Sequence, residues 1–213
     1  MLITVIGRGH SGTRSISHTL SASGVFMGEP LNVSGDLIPP EKMYDACRVF
    51  AQYVKYEGNN TWDFSTVNTC PIPNEFKVLI EEYLHTVFES KSECKGWKIP
   101  ETTLVYPWIA RMYPDIKYIF WVRDPRDCIL SGHLTDDLNK FGITYDKTDD
   151  IRKNRAISWL YQREIVRSVP TPKNHLSIKF EDMVFDQDNT LARISDYLGI
   201  PIAKIEMRPD SVG

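Results

Sequence analysis

The sequence predicts an α/β protein built as three layers, a doubly wound and mainly parallel sheet between two layers of helices. Three observations carry this. Leu2–Ile6 is mostly β-branched or apolar, runs through a glycine-rich stretch, and continues into Ile16 and Leu20, four residues apart, which reads as strand, loop and helix. Lys117–Val122 is apolar on both faces, as a central parallel strand should be. Strand and helix signals then alternate along the whole chain without an internal repeat or low-complexity tract, and 213 residues fit one domain, residues 1–213.

Taken in order, the first strand leads into Gly7-Arg8-Gly9-His10-Ser11-Gly12-Thr13-Arg14-Ser15. Three glycines and small hydroxyl residues let successive N–H groups turn inward at a helix N-terminus, where the helix dipole favours an anion. Gly7 and Gly12 have the spacing of a Walker A loop, but Thr13 and Arg14 stand where that loop needs Lys and then Ser or Thr. The usual Mg²⁺ ligand is therefore missing, and cationic help must come from Arg8, Arg14 or His10. Gly24 stops the first helix, and Val25-Phe26-Met27 reads as a short buried strand ending at Gly28-Glu29-Pro30 beside the cradle. A strand end there is a place for chemistry.

Leu31–Pro40 is loop, and Pro40-Glu41 opens a helix through about Lys55 with Met43, Ala46, Cys47, Phe50 and Val54 on one side. Tyr56–Pro73 lacks periodicity and is expected as a surface loop. Asn74 is placed to cap a helix whose Phe76, Leu79, Ile80, Tyr83, Leu84, Val87 and Phe88 form a core stripe. Gly96–Ile99 is a short strand, and Pro100 with Glu101 starts a helix ending before Pro114. The strand over 117–122 delivers Arg123, after which Arg123-Asp124-Pro125-Arg126-Asp127 turns into a helix expected to carry Ser131 and His133. Thr135–Asp150 is polar, acid-rich and aperiodic, an insertion or lid. Ile151–Ser168 is a helix with Ile157, Leu160 and Val166 inward, its Arg152, Lys153, Arg155, Arg163 and Arg167 reading as a solvated face. Leu176–Phe180 alternates as a strand, and Leu191, Ile194, Tyr197 and Leu198 stripe a last helix that Gly199 closes.

The composition, 42% hydrophobic and 25% charged, is that of an ordinary globular protein. A net charge of −3 argues against a general nucleic-acid or membrane-surface binder. Cys47, Cys70, Cys94 and Cys128 have no CxxC spacing, so neither a metal site nor a disulfide framework is indicated. No signal sequence or membrane-spanning run is seen, and a soluble, cytoplasmic protein is expected.

At this point a resemblance becomes specific. The Gly7–Arg14 loop resembles the 5′-phosphosulfate loop of sulfotransferases, and Tyr118–Ser131 resembles their 3′-phosphate strand–turn–helix, with an Arg-to-Ser interval of eight between Arg123 and Ser131. Lys98 in Gly-Trp-Lys-Ile-Pro, Ile178-Lys179-Phe180-Glu181-Asp182-Met183 and Tyr197-Leu198-Gly199-Ile200-Pro201 are similar to further landmarks, in the right order. The resemblance implies a P-loop NTPase-like sulfotransferase fold, 3′-phosphoadenosine-5′-phosphosulfate (PAPS) as sulfuryl donor, no metal, and a hydroxyl or amine acceptor on a carbohydrate, a tyrosine or a small molecule. It implies a donor site of Arg8, Gly9, His10, Ser11, Gly12, Thr13, Arg14, Ser15, Arg123 and Ser131. Sulfuryl transfer is an in-line displacement in which positioned cations and N–H donors do most of the work.

The chain departs from the family in two places. His10 stands where many members have a Lys on the leaving phosphate; a protonated His10, or Arg14, could take that role. Ser15 replaces the Trp that stacks on adenine, and the C-terminal Arg-Lys-Gly segment has no equivalent beyond Arg208-Pro209. For the base, Gly28-Glu29 resembles the Gly-Glu of tyrosylprotein sulfotransferases, which makes Glu29 the expected proton acceptor, with Asp36 and His133 as rivals, and Lys98 resembles their Lys near the transferring group. Two other classes share the cradle: a P-loop kinase, which would need Mg²⁺, and a non-catalytic nucleotide-binding module.

Overall fold

A computed structural model describes residues 1–207; Arg208 and Pro209 lie outside the described residues. The chain runs β1 (Leu2–Ile6), α1 (Thr13–Ala22), α2 (Glu41–Ala51), β2 (Lys55–Gly58), β3 (Thr61–Asp63), α3 (Ser65–Thr69), α4 (Asn74–Tyr83), α5 (His85–Glu89) and β4 (Lys95–Trp97). A 3₁₀ turn over Pro100–Val105 leads to α6 (Tyr106–Met112), β5 (Lys117–Val122) and α7 (Pro125–Cys128). Two further 3₁₀ turns precede α8 (Ile151–Arg167), β6 (His175–Lys179), α9 (Phe180–Phe185) and α10 (Gln187–Leu198). β4, β1, β5 and β6 form one parallel sheet in that order, so β4 and β5 flank β1 directly.

Because both faces of a parallel sheet are covered at its centre, the two inner strands β1 and β5 are mainly apolar. Ile3, Val5, Ile119 and Trp121 pack with α1, α9 and α10 on one face. On the other, Trp97, Tyr118 and Ile6 join the larger core with α2, α4, α6 and α8, where Phe50, Phe76 and Tyr53 meet Trp108 edge-on. Gly199 closes α10 in the left-handed conformation at φ 72°, as expected of a helix C-terminal glycine.

Several expectations need correction. Val25-Phe26-Met27 makes only an isolated parallel bridge, Phe26 to Lys95, on the edge of β4 away from β1. The supposed surface loop after α2 is the β2–β3 hairpin followed by α3; α2 itself stops at Ala51. Its turn is built from Gly58, Asn59 and Asn60, all at positive φ, and it buries Trp62, Phe64 and Val67. Asn74 begins α4 but makes no side-chain cap, and the long stripe breaks after Tyr83 into α4 and α5. α7 is only four residues long, so Ser131 and His133 lie beyond it. The segment 135–150 is not a lid: Thr135, Leu138, Phe141, Ile143 and Tyr145 are buried. No helix among the described residues is long and apolar enough to cross a membrane.

Candidate functional site

The loop after β1 is held by three contacts that its own sequence does not announce. Thr103 Oγ1 accepts from Gly7 N at 3.1 Å and returns a hydrogen bond to Gly7 O, also at 3.1 Å. Trp121 Nε1 donates to Ser11 O at 2.9 Å, and Ser11 Oγ turns back to Arg8 O. Arg8 is buried, with Nη1 on Gly9 O (2.8 Å) and Cys128 O (3.0 Å) and Nη2 on Asp136. Its Nη1 and Nη2 are therefore committed to the protein, a different placement from the ligand contact the sequence suggests, while its buried Nε has no partner. Asp136 in turn accepts from His133 N at 2.7 Å.

With the loop braced in this way, its amides stay open. Gly12 is the N-cap of α1 in the left-handed conformation at φ 86°, with no capping side chain. Among the described residues none accepts from the N–H groups of Gly9, His10, Gly12, Thr13 or Arg14. Helix N-terminal N–H groups without partners, together with the dipole, make an anion site. Gly9 and Gly12 are required by close approach: a Cβ would lie 2.1 Å from the His133 ring at Gly9 and 2.4 Å from the Phe180 ring at Gly12.

These amides open on a cavity of about 700 Å³ that gathers residues from five parts of the chain. His10, Gly12, Thr13, Arg14 and Ser15 come from the loop and α1, Arg123 from the end of β5, Ser131 and His133 from the segment after α7, and Asp36 and Lys98 from the β4 side. Phe180, at the start of α9, joins two of them: it packs on Gly12 and its ring lies 4.7 Å from the Arg123 guanidinium carbon. Arg123 is nearly buried, reaches Asp127 only at 3.7 Å, and its Nε has no partner, a donor arrangement that fits an anionic ligand. Asp124, which caps α7, donates its own N–H to Glu181 Oε1 at 2.8 Å and so ties this turn to α9.

On the other side of the loop, Lys98 is buried, donates to Ser34 O at 2.7 Å and pairs with Asp36. Burial pulls the Lys98 ammonium below the ordinary lysine value, and the Asp36 carboxylate opposes that pull. The second Asp36 oxygen accepts from Asn32 Nδ2 at 3.0 Å. Arg14 is exposed and contacts Ser34 Oγ at 3.2 Å. His10 sits at φ 59° with its ring 5.7 Å from that of His133. Burial and then the Arg8 charge lower its pKa, so the imidazole is neutral at pH 7, in contrast to the protonated donor considered from sequence. His133 is pushed down to about 4 by burial and then by His10, and its Nδ1 accepts from Thr135 N.

Glu29 is brought elsewhere. It is exposed, does not line the cavity, and its N–H donates to Thr86 Oγ1 at 3.3 Å; Gly28, at φ 80° and packed on Leu37 and Val87, turns the chain at this point. The sequence also gave no sign of Asp136, Thr103 or Phe180 as supports of the site, since each acts on a residue roughly a hundred positions or more away.

A sulfotransferase family profile matches residues 3–204. The chain belongs to the sulfotransferase family. Among solved structures, it is similar to a sulfotransferase domain from the curacin biosynthetic pathway, with 15% identity and a TM-score of 0.58 over 98% of this chain and 75% of that one. It is also similar to a sulfotransferase from Alicyclobacillus acidocaldarius, with 16% identity and a TM-score of 0.53 over 98% of this chain and 87% of that one. At these identities the likeness concerns the fold, a mainly parallel sheet flanked by helices. A comparison with curated proteins found no match.

Proposed function

We propose that this sulfotransferase family member uses PAPS as donor and moves its sulfuryl group to a hydroxyl or amine on an acceptor. The observation that carries this reading is the cavity itself, in which five unpartnered loop amides, Arg123 with a free Nε, and the Lys98–Asp36 pair converge. PAPS, when bound, supplies the activated sulfuryl group. The free amides of residues 9, 10 and 12–14 would hold its 5′ anionic end, and Arg123 with Ser131 its 3′-phosphate, since a guanidinium matches phosphate oxygens bidentately. Phe180, between Gly12 and Arg123, offers an aromatic face in place of the missing Trp at Ser15.

The chain's own groups then divide the chemistry. Arg14 and Lys98 supply fixed positive charge where charge spreads over the transferring and leaving oxygens, and a neutral His10 can contribute a ring N–H. Asp36, in the cavity, takes the proton from the acceptor hydroxyl; two of its carboxylate lone-pair positions remain free beside the Lys98 and Asn32 contacts. As that proton arrives, the attraction of Lys98 for Asp36 weakens and its ammonium is released toward the developing charge. This assigns to Asp36 the role that the sequence suggested for Glu29. The acceptor is a carbohydrate, a tyrosine side chain or a small molecule.

The test is donor binding and turnover in parallel. Adenosine 3′,5′-bisphosphate should bind in EDTA, and Arg123→Ala should weaken it by about 1.5–3 kcal/mol. Asp36→Asn should lower sulfuryl transfer by roughly 10²–10⁴-fold with little change in nucleotide affinity, while Glu29→Gln turns over at nearly the wild-type rate. Binding that requires Mg²⁺ would instead favour a kinase, and the reverse pattern at Asp36 and Glu29 would return the base to Glu29.

A further inference from the structure

Behind the loop, on the face of the sheet covered by α8, lies a second cavity of about 540 Å³. It shares Arg123 with the donor cavity, is otherwise lined by different residues, and is roofed by Trp159, Arg163 and Arg167 of α8 and floored by Phe120 of β5. Two features set it apart from a packing gap. Four arginines line it, Arg8, Arg123, Arg163 and Arg167, and not one Asp or Glu does. Arg8 is already neutralised by Asp136, whereas Arg163 meets only its half-buried neighbour Glu164 at 3.5 Å, and Arg167 has no carboxylate partner among the described residues.

The second feature concerns hydrogen bonding. Tyr106 and Gln162, both lining residues and both almost wholly buried, carry polar atoms, Tyr106 Oη and Gln162 Oε1, with no partner. Buried polar atoms are nearly always satisfied, and one left open next to a cavity points to a group that comes from outside. The aromatic surface of Trp159, Phe120 and Tyr106 suits an apolar body of ring size, and the Arg163 guanidinium already lies 5.8 Å from the Trp159 ring.

We propose that this cavity is a second small-molecule site that takes an aromatic compound carrying one anionic group, the ring between Trp159 and Phe120 and the anion at Arg163 and Arg167. The inference goes beyond sulfuryl transfer and does not rest on it. Arg163 and Arg167, which the sequence presents as part of a solvated face, become the two residues that give the site its charge preference.

The test uses the full chain and the fluorescent probe 1-anilinonaphthalene-8-sulfonate. Saturable binding is expected, and Arg163→Glu/Arg167→Glu should weaken it at least about tenfold, the loss of charge-assisted contacts. Both positions are exposed, so thermal melts of this variant should match the wild type; Arg163→Gln/Arg167→Gln gives a milder version of the same change. The uncharged N-phenyl-1-naphthylamine should bind at least about tenfold more weakly than the sulfonate. The sulfonate signal should persist at saturating adenosine 3′,5′-bisphosphate. Equal affinity in the Glu variant, equal affinity for the neutral probe, or complete displacement by the bisphosphate would each overturn the proposal.

Discussion

Arg8 offers the sharpest division between what a loop sequence suggests and what the fold does with it. In the structure its side chain and that of Asp136 are 4% and 11% exposed, and the guanidinium also satisfies two backbone carbonyls. Removing one partner of such a buried pair leaves an uncompensated charge, at a cost of about 3–5 kcal/mol. Asp136 keeps the His133 N–H at 2.7 Å and has Arg155 Nε at 4.0 Å, which places Arg8→Met near the lower end, about 3 kcal/mol. For a chain of this size that corresponds to a fall in Tm of about 6–12 °C. Arg8→Met/Asp136→Leu should recover most of the loss, because an apolar pair of similar volume carries no desolvation penalty. Urea denaturation of the two single variants and the double variant gives the coupling directly. If Arg8→Met stays within about 0.5 kcal/mol of wild type and loses only nucleotide affinity, the guanidinium faces the ligand and the bracing argument is wrong.

Three further outcomes follow from the same surroundings. His133 accepts Thr135 N with an Nδ1 held down to about 4, so the unfolded chain protonates first; its contribution is intact above pH 6.5 and is lost as the pH falls toward 4, by up to about 3 kcal/mol, and His133→Asn should flatten the urea-midpoint profile across that window. Glu101 has the opposite sign: burial raises its carboxyl from 4.5 to about 7, so its contribution is present below 4.5 and lost as the pH rises through 7, and Glu101→Gln should raise Tm at pH 8 but not at pH 4, a gain whose absence in calorimetry would contradict the assignment. Gly9→Ala should cost about 1–3 kcal/mol, since a methyl there meets the His133 ring at 2.1 Å, and an unaltered melt would show that the ring moves freely.

What the sequence made legible was local in origin. β1, the loop and β5 each carry their signal within a few residues: a β-branched run, glycine spacing, apolarity on both faces. The β2–β3 hairpin was missed because its strands are four and three residues long and its alternation is too brief to outweigh the surrounding Asn and Thr. The segment 135–150 hid its core residues in a 3₁₀ turn and the irregular chain after it, where Leu138, Phe141, Ile143 and Tyr145 fall on no helical or strand period. Site partners were hidden for a different reason: Arg8 meets Asp136 across 128 positions and Lys98 meets Asp36 across 62, distances over which only the topology decides.

That topology also accounts for the loop's missing lysine. A Walker loop carries its own cation, whereas here the loop's Arg8 is used to brace it and His10 is neutral at pH 7. The sheet order β4-β1-β5 puts a strand on each side of β1, and residues immediately past those strand ends, Lys98 and Arg123, line the cavity into which the loop opens. Positive charge is thus delivered by the two neighbouring strands, one on each flank of the anion cradle. On the function proposed above, a ligand anionic at both ends would be gripped at the loop and at the Arg123 side, with the Lys98–Asp36 side left for the attacking group. Donor and acceptor would then lie on opposite flanks of β1, a placement suited to in-line transfer.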